Sequence, residues 1–263
     1  MDATRTRSRS PRPARMIAGV VALAALVPGR PAPAQAGDGY LFRMPPVAVT
    51  LRGGLQAPAV RSDFWSFTTD QLTLDRRKLA GAAWGVDLSR TVSERWEWQL
   101  SVDWLARGAD SEYRRFEEQL ENDRRAPIRQ RTELQRLPVT LGVRLNLLPD
   151  GERIGRHAWL PSAVVPFVVA GGGASWYRIR QRGDFVDFAD GNAIFFDDYE
   201  SSGVGLLGFA GAGVDVSVNP FLAVTTQVRA LVGNARLGRD FRGFAPLDLS
   251  GATLTTGVRL RLP

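Results

Sequence analysis

The sequence predicts an all-β chain: an eight-stranded antiparallel up-and-down transmembrane β-barrel. Three observations lead there. Segments of about 10 to 15 residues alternate apolar and polar side chains, which is the period of a strand. The connections between them alternate between long and short. The charges on the polar faces nearly cancel.

The segments, in order, are 47–57, 79–90, 96–107, 133–147, 164–180, 203–218, 221–234 and 250–262. A membrane-crossing strand needs about 9–11 residues, whereas globular strands average about 5–6. The stretch 96–106 sets Trp96, Trp98, Leu100, Val102 and Trp104 against Glu97, Gln99, Ser101 and Asp103. In 137–147, Leu137, Val139, Leu141, Val143 and Leu145 oppose Thr140, Gly142, Arg144 and Asn146. The last segment opposes Leu254, Val258, Leu260 and Leu262 to Arg259 and Arg261. Around Asn219-Pro220, Val214, Val216, Val224 and Val228 alternate with Asp215 and Arg229, a hairpin with a tight turn. Segments 164–180 and 203–218 carry Gly and Ala on both faces and leave their orientation open.

Connections 58–78, 108–132, 181–202 and 235–249 are long, 91–95 and 219–220 are short, and 148–163 is intermediate. Outer-membrane barrels place short turns at the periplasmic rim and long loops outside. The apolar faces then meet lipid. Arg52, Asp87, Glu97, Asp103, Arg144, Asp215, Arg229, Arg259 and Arg261 form a near-neutral interior set. Eight strands enclose a lumen that side chains can fill, and buried charges must be paired. Gly142, Gly213 and Gly257 are expected to make room for the arginines. Trp96, Trp98, Phe167 and Phe221 fall near the short-turn ends, and Trp104 and Trp176 near the long-loop ends, as two aromatic girdles require. Trp84 fits neither.

Residues 1–36 read as a cleaved secretory signal. Arg5, Arg7, Arg9, Arg12 and Arg15 precede the apolar run 17–27, and Ala34-Gln35-Ala36 supplies a small-x-small site. The run is shorter than the roughly 20 residues of a transmembrane helix. With Arg30, the removed piece carries six arginines and one aspartate, so the formal +7 of the chain falls to +2 after cleavage. The basic balance is therefore no nucleic-acid signal. Residues 37–46 are expected to be a periplasmic segment and 47–263 the barrel. The chain has no cysteine, which excludes a disulfide scaffold and thiolate metal sites.

The fragments LPVTLGVRLNL, VVPFVVAGGGASWY and GFAGAGVDVSVNPFLAVTTQVRAL resemble the small barrel domain of Gram-negative outer-membrane proteins, the OmpA/OmpW-like group. The likeness spans roughly residues 45–262. It implies Sec-dependent export to the bacterial outer membrane and insertion by the barrel-assembly machinery. It further implies a monomer in contact with outer-membrane lipid and lipopolysaccharide. The chain departs from the group in ending Arg261-Leu262-Pro263 rather than on an aromatic residue.

No residue pattern asks for catalysis, a metal or a cofactor. The one histidine, His157, lies in the 148–163 turn. Arg182-Gly183-Asp184 is a common tripeptide, and the acidic residues of 187–200 lack EF-hand spacing. FVDFADGNAIFF reads as a hairpin turning at Asp190-Gly191. The charged run 111–131 reads as a solvated loop whose arginines could meet lipopolysaccharide phosphates. The expectation is a non-enzymatic barrel with a structural or surface role, or one that binds or passes small solutes. Two alternatives stay open: an enzyme acting on outer-leaflet lipid, and a soluble periplasmic β-barrel binding protein.

Overall fold

The computed structural model describes residues 41, 43–59, 61–119, 125–155, 158–187, 191 and 193–262. The strands are β1 (Val47–Pro58), β2 (Gly81–Thr91), β3 (Trp96–Gln119), β4 (Arg125–Asn146), β5 (Gly151–Ile154), β6 (Ala158–Pro161), β7 (Val164–Asp187), β8 (Ala193–Ser217), β9 (Leu222–Ala235), β10 (Leu247–Asp248) and β11 (Gly251–Leu262). Eight of them close a barrel. Each of β1, β2, β3, β4, β7, β8, β9 and β11 is antiparallel to the next, and β11 returns to β1. All eight predicted segments are strands of this meander. Closure leaves no unpaired edge within the belt; above it β3 and β8 extend past their pairing with β2 and β9.

Alternation becomes two faces. Along β9, Ala223, Thr225, Gln227, Arg229 and Leu231 are buried, while Val224, Val228 and Val232 are exposed. The same parity holds round the ring. Leu51, Val86, Trp98, Leu141, Val168, Leu206, Val228 and Val258, one from each strand, are between 39% and 79% exposed. The outer wall is apolar and the inner wall polar, the inverse of a water-soluble barrel.

Several connections differ from expectation. The charged run 108–132 is mostly strand: β3 and β4 continue past the belt and pair as far as Gln119↔Arg125. Above the belt the outer face of this hairpin meets water while Ala109, Ser111, Ile128, Gln130 and Thr132 stay buried, so charge on the outer face no longer marks a loop. The 181–202 stretch likewise extends β7 and β8 to Asp187↔Ala193, with Gly191 at φ +58° in the turn. Asp190 lies outside the described residues, as do His157 and residues 1–36, expected to be the signal.

The connection between β1 and β2 contains a helix that no sustained periodicity announces, α1 (Asp63–Gln71), followed by a 3-10 turn at Arg76–Leu79. Nine residues are too few to repeat an apolar stripe clearly, and the helix is stabilised by what it packs against. The 148–163 turn holds a small hairpin, β5–β6, whose Trp159 is 1% exposed and bridges Leu41 through both backbone hydrogen bonds.

Candidate functional site

Among the described residues, buried charged side chains converge in the lumen, which is filled in layers. The structure brings all nine of the sequence-predicted interior charges into it, none more than 8% exposed. Eight of them fall into two four-membered rings, and the ninth, Arg261, pairs with Asp150 at one end.

In the first ring the Arg52 guanidinium donates to Asp87 through Nε at 2.9 Å and meets Asp103 Oδ1 at 2.6 Å. Arg229 approaches the same two carboxylates at 3.4 and 3.9 Å and donates to Ser101 Oγ at 3.2 Å. In the second ring Arg144 donates to Asp215 at 2.6 Å and Arg259 to Glu97 at 2.6 Å. The cross-contacts Arg259–Asp215 and Arg144–Glu97 are 3.5 and 4.0 Å. Asn146 ties the second ring by accepting from Arg144 and donating to Glu97. Each ring holds two arginines and two carboxylates, so each is neutral by itself. Taking such groups from water is repaid only where each charge meets an opposite one, as here.

Arg261 forms the end pair with Asp150 at 3.1 Å, donates to Ser217 at 3.0 Å and lies over the ring of Trp159. Neither Asp150 nor Trp159 was singled out in the sequence, because both lie in the 148–163 turn, where no alternation marks a face. Together with Leu41 they close the short-turn end of the lumen.

The wall opposite the charges is apolar. Phe167, Val169, Leu207, Phe209 and Leu231 form one buried cluster. Phe167 is thus a correction: it belongs to the lumen, 1% exposed, and not to the short-turn girdle. Its segment, VVPFVV, is apolar at every position, so sequence parity could not orient it. Its ring lies 3.6 Å under Arg144, and Phe209 lies 5.2 Å from Arg229, so each ring of charges rests on one aromatic face.

The glycines divide between these two walls. A Cβ on Gly85 would lie 2.3 Å from Asp103 Oδ1, and one on Gly257 would lie 2.8 Å from Arg52 Cβ. On Gly213 and Gly142 it would strike the rings of Phe167 and Phe209 at 2.5 and 2.7 Å. The expectation that Gly142 and Gly213 make room for arginines is therefore corrected: they make room for the phenylalanines on which the arginines stack.

The girdle aromatics other than Phe167 point outward or sit at the rim. Trp96 and Trp98 are about half exposed at the short-turn end, and Phe221 is half-buried in the Asn219-Pro220 turn. Trp104 and Trp176 face out at the other end. Trp84 pairs across strands with Trp104 and packs over Gly53, which places it in the same upper row. It is the fourth residue of β2, near that strand's long-loop end.

At that end the connections fold inward. Phe64, Trp65, Leu72, Leu74, Leu79, Phe241, Leu247 and Leu249 meet the inward-facing Ala109, Leu134, Tyr177, Ile179 and Ala235 in a continuous apolar plug. Beneath it lies Arg136, 2% exposed, which donates to the carbonyl of Leu249 and has no carboxylate partner among the described residues. Its parity, four and eight residues before Thr140 and Arg144, already placed it inside.

Above the belt, charge pairing continues on the outer wall. Arg178 pairs with Glu200 and Arg180 with Asp198. The Arg180 hydrogen bond holds the Asp198 carboxyl below its ordinary pKa.

No family model matches the sequence, and no curated protein does. Among solved structures, the outer membrane protein OprG from Pseudomonas aeruginosa aligns with 84% of this chain and 98% of its own, at 15% identity and a TM-score of 0.44. Neisserial surface protein A aligns with 87% of this chain and 100% of its own, at 11% identity and a TM-score of 0.38. The N-terminal β-barrel domain of Pseudomonas aeruginosa OprF aligns over 83% and 98%, at 10% identity and a TM-score of 0.33. The antiparallel up-and-down barrel of this chain rests on its own strand pairing.

Proposed function

We propose that the chain is a non-enzymatic outer-membrane β-barrel with a sealed lumen built on two neutral ion-pair rings and with a structural or surface role. The observation that carries this reading is the unbroken outer belt of exposed Leu, Val and Trp on all eight strands, around an interior of buried arginines and carboxylates. Monomeric water-soluble proteins rarely expose apolar patches beyond a few hundred Å². A belt on every strand fits lipid. Export through the 1–36 signal, insertion by the barrel-assembly machinery, and contact with outer-membrane lipid and lipopolysaccharide belong to the same reading.

The side chains favour a plug over a conduit. Two salt-bridged rings, the Trp159 hairpin and the apolar plug stack along the lumen. Each buried lumen carboxylate, Asp87, Glu97, Asp103, Asp150 and Asp215, is held by an arginine, so none is free to serve as a general base.

Fractionation tests the location and a planar bilayer tests the seal. The expected results are extraction only with detergent, a heat-modifiable mobility in gels, and no discrete currents. Recovery in the soluble periplasmic fraction would overturn the first part, and stepwise conductance the second.

A further inference from the structure

The outer wall above the upper girdle carries more arginines than carboxylates around one groove. On β7, Trp176, Arg178, Arg180 and Arg182 face outward at every second position. On β4, Arg129 and Arg131 share that face. The register sets Arg131 directly opposite Arg182. Like charges directly opposite each other across strands destabilise a sheet.

Arg131 is compensated by Asp110 and Glu133, and Arg129 by Glu112. Arg182 lies opposite Asp198, a carboxylate already hydrogen-bonded to Arg180, and 5.6 Å from the ring centroid of Phe196, which is 62% exposed; the Lys78 ammonium donates to the Thr73 carbonyl. These residues line one groove of about 630 Å³, together with Ser111, Gln130 and Gly183. Its lining holds four cations, Lys78, Arg129, Arg131 and Arg182, against Asp110 and Glu112. Arg182 stands six residues above Trp176, about 16 Å at ~3.4 Å per residue and a ~40° tilt.

The geometry points to a binding site for an anionic saccharide: the phosphorylated headgroup of an outer-leaflet glycolipid, held by Arg182, Arg131 and Lys78, with a sugar face on Phe196. This assignment rests on the outer-membrane reading above. A phosphate between Arg131 and Arg182 converts a repulsive cross-strand pair into two charge-assisted hydrogen bonds. Exposed carboxylate pairs such as Glu112–Arg129 contribute little and yield to it. The outward direction of the groove and its height over the girdle favour a headgroup rising from the membrane.

Isothermal titration of the detergent-solubilised full chain tests this, using three probes: deacylated lipopolysaccharide core oligosaccharide, the same saccharide dephosphorylated, and inorganic phosphate. The phosphorylated saccharide is expected to bind at least tenfold tighter than the other two. Arg182→Gln weakens it at least tenfold while keeping heat-modifiable mobility, and Phe196→Ala weakens the saccharide without changing the response to phosphate. Arg61→Gln, outside the groove, leaves binding unchanged. Equal binding of the two saccharides, no binding at all, or an unaltered Arg182→Gln would overturn the site. Inorganic phosphate binding as tightly as the saccharide would overturn the headgroup assignment. Loss of the detergent requirement is a separate result and would sink the membrane reading itself.

Discussion

Arg144 lies flat against Phe167, 3.6 Å from the ring centroid, while its Nη2 donates to Asp215 at 2.6 Å. One guanidinium thus joins the apolar wall of the lumen to its charged wall. Asp215→Ala leaves Arg144 and Arg259 sharing Glu97 alone. An uncompensated buried charge costs about 3–5 kcal/mol. Chemical unfolding of the folded barrel in detergent is expected to show a loss of that size, and a change below about 1 kcal/mol would contradict the ring.

Arg136 should behave differently. It has no carboxylate to strand, so Arg136→Met removes an unpaired charge and gives up one hydrogen bond to Leu249, worth about 1 kcal/mol net. Arg229→Met leaves Asp87 and Asp103 with Arg52 only. The expected order in the same unfolding assay is a markedly larger loss for Arg229→Met. Equal losses would contradict the separation of the two arginines.

Glycine replacements report which wall is packed. Gly85→Ala forces a Cβ to within 2.3 Å of Asp103 Oδ1, whereas on Gly208, facing outward, the nearest atom is 3.8 Å away. Gly85→Ala should lower the heat-modification midpoint clearly and Gly208→Ala should leave it within error.

The apolar plug can be weakened without opening the lumen. Phe64 is 1% exposed and meets Trp65, Phe241 and Phe244 edge-on. Phe64→Ala should destabilise by about 3–5 kcal/mol. Bilayers are still expected to show no discrete currents, because both ion-pair rings lie below it.

Acid should loosen the β7–β8 extension. Asp198 titrates below its unfolded value, so the Arg180–Asp198 pair stabilises the hairpin above the ordinary aspartate pKa of about 3.9 and is lost as pH falls through the lower folded value. Protection factors of the amides around Asp198 should fall in that window and remain flat from pH 5 to 7.

Much of this architecture is legible in the residues themselves. Wherever apolar and polar residues alternate, as in 96–106 or 222–232, parity alone assigns both faces, and every interior charge so assigned lies in the lumen. Parity is silent where both faces carry the same chemistry. VVPFVV is apolar throughout, which hid Phe167. Charged residues on both faces of 108–119 hid the extension of β3. The plug is a different case: Phe64, Trp65, Phe241 and Leu249 lie in connections, and only the closed barrel brings them together. Asp150 and Trp159 become interior for the same reason.

The inside-outside assignment of the polar face is tested most directly by spin labels. The chain has no cysteine, so single cysteines at successive positions from Ala223 to Val232 can be labelled in liposomes without a background. Collision with lipid-dissolved oxygen is expected to peak at positions 224, 226, 228, 230 and 232 and to fall at 225, 227, 229 and 231. The opposite phase, or no alternation, would contradict an apolar wall in lipid around a buried lumen of paired charges.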